Sequence, residues 1–176
     1  MSRVSKRYAK ALFSLAIEEK KLDSVADDLN VINDLTKSNQ DFVGFISNPL
    51  ITSGKQLEVV KSLFSNKLND LTLNFLCLLS EKRRLNLLPE ILQKFDVLIL
   101  VYRNQVRADI ISADTLDKEQ LKQIQDNIEL LTKKSVLLNT RQDKTLIGGF
   151  TVKIEDIIID NSIRYQLSKL KEKLIS

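Results

Sequence analysis

The hydrophobic period of this chain first changes near residue 105, and that change restricts the architectures open to it. Up to Asn104 the apolar residues recur three and four apart, the spacing of helices that bury one face. Beyond it, Val106, Ala108, Ile110 and Ser112 alternate with Arg107, Asp109 and Ile111, the two-residue period of a half-buried strand. Helices that precede strands, rather than alternate with them throughout, predict an α+β chain. The expected domains are an N-terminal six-helix bundle, residues 1–105, and a small α/β domain, residues 106–176. With four glycines and two prolines in 176 residues, breakers are scarce and long helices are expected. No Gly/Ser-rich linker marks the boundary.

The first six helices are predicted at about 2–20, 23–38, 41–46, 53–64, 69–82 and 86–104. Ser53-Gly-Lys-Gln56 fits a capping box for the fourth, and Pro89 falls in the first turn of the sixth, where proline is tolerated. After the first strand, Asp117-Lys-Glu-Gln120 opens a seventh helix that runs to about Thr132. Strands follow at 136–141 and 149–154, and Ile157-Ile-Ile159 suggests a fourth. A closing helix then carries Ile163, Leu167, Leu170 and Leu174 on one stripe. That stripe fits packing on the chain's own sheet as well as it fits an outside partner.

The chemistry of sites is thin. There is no histidine, which excludes a His-based triad or metal site. The single cysteine, Cys77, sits in an apolar run with no candidate base and reads as a buried small hydrophobe. Asp27-Asp28 and Glu155-Asp156 are the paired acids, the first on a polar helix face and the second in a turn. No phosphate-cradling glycine loop is present. We therefore expect no enzyme activity, no cofactor and no metal. Net charge is +4, spread over both halves, and the sheet segments have Phe150 as their lone aromatic, so a nucleic-acid partner is not expected. No apolar run is long enough to insert in a membrane, and no signal-peptide core precedes the first helix.

Two helices are too apolar for one buried face. Val4, Tyr8, Ala11, Leu12 and Leu15, with Ala9, Phe13, Ala16 and Ile17 beside them, cover roughly two-thirds of the first helix, against the ~100° stripe that a single core needs. In the fifth, Leu68, Leu71, Leu73, Phe75, Leu76, Cys77, Leu78 and Leu79 leave mainly Asn74 and Glu81 as a polar edge. Either both helices are central and buried all round, or each turns one face to the core and offers a second as a groove for a partner helix.

The segment Asp143–Ser162 places Gly148 and Gly149 side by side between strand-forming residues. We expect the pair to let two strands meet closely. This segment, together with Arg7-Tyr-Ala-Lys-Ala-Leu-Phe-Ser-Leu-Ala16, Arg84-Leu-Asn-Leu-Leu-Pro-Glu-Ile-Leu92 with Phe95, and Ala108-Asp-Ile-Ile-Ser-Ala113, resembles the delta subunit of bacterial and plastid rotary ATP synthases. The mitochondrial counterpart of that family is the oligomycin-sensitivity-conferring protein. Four segments match in order along nearly the whole chain.

The resemblance implies a non-catalytic stator subunit, one copy on top of the catalytic head. Its N-terminal domain would grip the N-terminal helix of an alpha subunit between its first and fifth helices. Tyr8, Ala11, Leu12 and Leu15 with Leu71, Phe75 and Leu78 are the expected groove. The C-terminal domain would hold the C-termini of the peripheral-stalk b subunits, with Ile163, Leu167, Leu170 and Leu174 as the expected contact. The protein would lie on the cytoplasmic side of a bacterial inner membrane, or the stromal or matrix side in an organelle, held there by the complex. Two other functions compete with it: a helical adaptor whose groove takes an unrelated amphipathic helix, and an RNA-binding protein using its sheet, against which the lone aromatic Phe150 counts.

Overall fold

The structure, a computed structural model, describes residues 3–143, 145–154 and 157–175, of which 173–175 are described by their backbone. Glu155 and Asp156 lie outside the described residues. The fold is α+β, a helical N-terminal region followed by a four-stranded sheet with helices. The chain divides into two compact units, Met1–Ile99 and Leu100–Ser176.

The first unit contains α1 (Arg3–Glu18), α2 (Leu22–Ser38), α3 (Gln40–Ser47), α4 (Ser53–Phe64), α5 (Asp70–Glu81), a 3-10 turn (Leu85–Leu87) and most of α6 (Leu88–Tyr102). Small side chains decide how closely α1 can approach its neighbours. Its buried residues are Ser5, Ala9, Leu12 and Ala16, one every three or four positions. Val25, Leu29 and Ile32 of α2, Leu76 and Leu79 of α5, and Ile91 and Phe95 of α6 share that core. Each large apolar side chain fully buried there contributes roughly 1.5–3 kcal/mol. Phe13 meets Phe95 edge-on at 5.8 Å. Polar ties fix the helix ends. Ser5 Oγ donates to Glu90 on α6 at 2.8 Å, and the Asn69 amide donates to Asp28 Oδ2 at 2.8 Å. Asp28, half of an acidic pair in the sequence, thus orients the start of α5.

Two boundaries differ from expectation. Thr52, not Ser53, caps α4: Thr52 has the extended backbone of a cap and accepts from the Lys55 amide at 3.4 Å. Gln56, the supposed reciprocal partner, is buried within the unit. The sixth helix starts at Leu88, because the chain first makes the 3-10 turn that buries Leu85.

The second unit runs β1 (Gln105–Ser112), α7 (Lys118–Thr132), β2 (Ser135–Gln142), β3 (Phe150–Ile154), β4 (Ile157–Asp160) and α8 (Ile163–Ile175). The strand order is β2-β1-β3-β4, with β1 parallel to β2 and antiparallel to β3, and β3 antiparallel to β4. The parallel pair needs a crossover, which α7 supplies. Register aligns Val106 with Val136, and Ile110 with Val152. These four, with Ala108 and Ile154, pack against Ile124 and Ile128 of α7. Gln125 and the Val136 amide both bond to Glu129, tying α7 to β2 and holding the Glu129 carboxyl below its usual range.

The seventh helix starts where the sequence predicts. The Gln120 amide donates to Asp117 Oδ1 at 2.7 Å, and the Asp117 amide donates to Gln120 Oε1 at 3.1 Å. Asp117→Ala is expected to cost this unit about 1 kcal/mol, read as a lower urea midpoint at unchanged slope.

Gly149 stands where the segment entering β3 meets the segment leaving β4. Its φ is +82°, and a Cβ there would overlap the Asn161 carbonyl oxygen and sit 3.0 Å from Ser162 Cα. The glycine is thus the point where the chain entering β3 passes the chain entering α8. Backbone bonds from Ile163 N to Gly148 O at 3.0 Å and from Asn161 N to Phe150 O at 2.9 Å hold the crossing. Asp160 and Ser162 complete it: the Ser162 amide donates to Asp160 Oδ1 at 2.9 Å, and Ser162 Oγ accepts from the Tyr165 amide at 3.3 Å. Hydrogen bonding from the Ser162 hydroxyl and amide holds the Asp160 carboxyl below its usual range. A lowered carboxyl stabilises the fold above its unfolded pKa, near ~4, and loses that effect as pH falls through the folded value. We expect acid unfolding of this unit below about pH 4 to shift to higher pH at low ionic strength in Asp160→Asn, followed by far-ultraviolet circular dichroism.

Candidate functional site

The seven residues expected to form a groove line one cleft of ≈ 470 Å³ between α1 and α5. Helical spacing sets them there. Tyr8, Ala11, Leu12 and Leu15 recur at three- and four-residue steps along α1, and Leu71, Phe75 and Leu78 do the same on α5. Neither helix is buried all round. Leu12, Leu71 and Phe75 form the floor and belong to the core, whereas Leu15 and Leu78 are 43% and 41% exposed. Leu12 therefore lies where the two apolar faces of α1 meet.

The floor is held by aromatic contacts. Tyr8 meets Phe75 edge-on with ring centroids 6.2 Å apart. Arg84 donates to the Tyr8 hydroxyl at 2.8 Å, and its guanidinium carbon lies 5.6 Å from the ring centroid. Tyr8 thus presents an apolar ring whose polar tip is already satisfied. Glu19, Lys21, Asp70 and Asn74 also line the cleft, and Lys21 pairs with Glu19 at 3.0 Å. A search for apolar stripes passes over these four. Their signal in the sequence is position, since Glu19 and Lys21 lie between α1 and α2 and Asp70 and Asn74 stand on the groove side of α5.

This geometry suits a helix with apolar anchors: an open apolar trough with polar residues at its margin. Among the described residues, no serine, threonine or cysteine lines it. Cys77, on α5, does not line the cleft. It is half-buried rather than fully buried, and burial pushes its thiol above the usual value. Among the described residues no cluster of three or more Cys, Asp or Glu could hold a metal ion, and no helix is long and apolar enough to cross a membrane.

The stalk candidates stand elsewhere, on α8. Ile163, Leu167 and Leu170 are exposed, the latter two at 56%, and none belongs to the core that the sheet shares with α7. The side chain of Leu174 lies outside the described residues. From Ile163 to Glu172 every residue of this helix is exposed, while Ser162 at its start is buried.

The sequence matches the ATP synthase delta (OSCP) subunit family over residues 4–174. It is 36% identical over 172 residues to the ATP synthase subunit delta of Chlorobaculum tepidum, covering 98% of this chain and 95% of that one. It is 37% identical over 173 residues to the subunit of the same name from Lactobacillus gasseri, covering 98% and 94%. A chain in the Toxoplasma gondii mitochondrial ATP synthase hexamer shares the fold, with a TM-score of 0.77 at 22% identity over 99% of both chains. A family match along almost the entire sequence, and relatives above one-third identity across nearly their whole length, lead to one assignment: the protein belongs to the ATP synthase delta (OSCP) subunit family.

Proposed function

We propose that this protein is a non-catalytic stator subunit of a rotary proton-translocating ATP synthase. Residues 1–105, as a six-helix bundle, bind the N-terminal helix of an alpha subunit in the α1–α5 groove. Residues 106–176, as a small α/β domain, hold the C-termini of the peripheral-stalk b subunits. The protein stays peripheral, on the cytoplasmic side of a bacterial membrane or its organellar equivalent, through those contacts alone.

The observation that carries this reading is the cleft between α1 and α5, with an apolar floor and two half-exposed leucines at its margin. A stator needs no bond chemistry. Rotor torque would turn the catalytic head unless a link resists it, and the link must be attached at both ends. Each attachment can be modest, because the second contact forms at the high effective concentration set by the first. The test is binding of a synthetic alpha-subunit N-terminal peptide to the full chain by fluorescence anisotropy. The reading fails if the wild-type protein does not bind that peptide, or if Leu15→Asp with Leu78→Asp binds it as well as wild type does.

A further inference from the structure

We propose that α8 docks, through a two-heptad seam, onto a partner helix whose seam is flanked by acidic side chains. The inference rests on reading the C-terminal unit as the stalk-facing one, and it specifies the chemistry of the stalk segment that unit takes. The spacing of Ile163, Leu167, Leu170 and Leu174 is four, three and four, the alternation of d and a positions in a heptad. In that register the e positions are Arg164 and Lys171, and the g positions are Gln166 and Lys173. No flank is acidic. Glu172 falls at an f position, opposite the seam. Tyr165 is also at f, and Lys169 Nζ lies 4.8 Å from its ring centroid, well away from the seam.

Three features select the occupant. Flanking charges in such pairs set the choice of partner, so basic flanks call for glutamates or aspartates facing them. The same flanks oppose pairing with a second copy of this chain, since like charges would meet. The apolar stripe is narrow, two residues per heptad, which fits a helix seam better than the broad apolar face of a helix lying on lipid. In addition, α8 has only 13 residues, and those described are exposed along its length. A helix this short is marginal without packing, so docking also orders it.

The experiment uses the full chain and two synthetic helices of about three heptads with identical leucine seams, one with glutamate flanks and one with lysine flanks. The acidic helix is expected to bind, to weaken about tenfold or more when salt is raised to about 0.5 M, and to slow amide exchange across 163–175. The basic helix is expected not to bind. Arg164→Glu with Lys171→Glu should weaken the acidic helix about tenfold and invert the preference. Leu167→Asp with Leu170→Asp should weaken it on the order of a hundredfold. An unchanged melt for these exposed positions shows that the unit still folds. Equal binding of both helices, self-association of the chain through α8, or preferential binding of α8 to phosphatidylglycerol vesicles overturns the proposal. A purified b subunit separates it from the reading beneath it. If the b subunit binds and the α8 variants bind it equally well, the seam is wrong and the stalk reading stands. If the acidic helix binds and the b subunit does not, the seam stands and the stalk reading falls.

Discussion

Gly149→Val is expected to unfold the C-terminal unit while the melt of the helical unit stays where it is. Two costs add. At φ +82° a β-branched side chain is strained by ~1–3 kcal/mol. Its Cβ would also overlap the Asn161 carbonyl oxygen and press on Ser162 Cα, both of them backbone atoms that cannot rotate away. Overpacking of that kind costs a further ~1–3 kcal/mol. A unit this small is stable by roughly 5 kcal/mol, so the sum removes most of its stability. Gly148→Ala is the control. There the added carbon would meet the end of the Ile163 side chain, which can change rotamer, and the backbone is not left-handed. We expect a loss of about 1 kcal/mol or less from that variant. Calorimetry of the full chain reads both. In Gly149→Val one transition should disappear, and binding of the alpha-subunit peptide proposed for the α1–α5 groove should match wild type. Loss of the groove with the C-terminal unit would show that the two units do not fold independently.

Leu15→Asp with Leu78→Asp is expected to weaken binding of the alpha-subunit peptide on the order of a hundredfold, with stability changed by under about 1 kcal/mol. Both leucines are more than one-third exposed, so each has apolar surface left for a partner to bury. Losing that burial costs ~1 kcal/mol per side chain, and placing a carboxylate against an apolar partner costs more. The same change in the unbound protein puts charge at the surface, where it is tolerated. Tyr8 is a poorer probe, although the sequence singles it out equally. Its ring packs on Phe75 and its hydroxyl accepts from Arg84, so Tyr8→Asp would damage the floor of the groove as well as the contact. Titration of the peptide, beside a thermal melt of each variant, separates the two effects.

Local rules carried the sequence reading a long way. The alternation from Val106 to Ser112 and the pair Asp117 and Gln120 each depend on residues within a few positions of one another. Where two neighbouring residues could do one job, local rules do not choose. Thr52 and Ser53 are both good caps, and the structure uses Thr52 while Gln56 is buried in the unit. For Gly149 the sequence predicted a close approach of two strands without saying which segments meet there. Its actual neighbours, Asn161 and Ser162, reach it only after β3 and β4 have paired.

The sequence by itself determined that α1 and α5 carry more apolar surface than one core can use, and that the charges beside the Ile163 stripe are basic. Periodicity and composition contain that much, because they are properties of a helix taken singly. Which part of the surplus is core and which is groove was decided by tertiary packing. Ser5, Ala9 and Ala16 are small enough for neighbouring helices to close over one face of α1, which leaves Ala11 and Leu15 outside and Leu12 at the seam between. Tertiary packing likewise left Leu167 and Leu170 of α8 more than half exposed, while Ile124 and Ile128 of α7 pack on the buried face of the sheet.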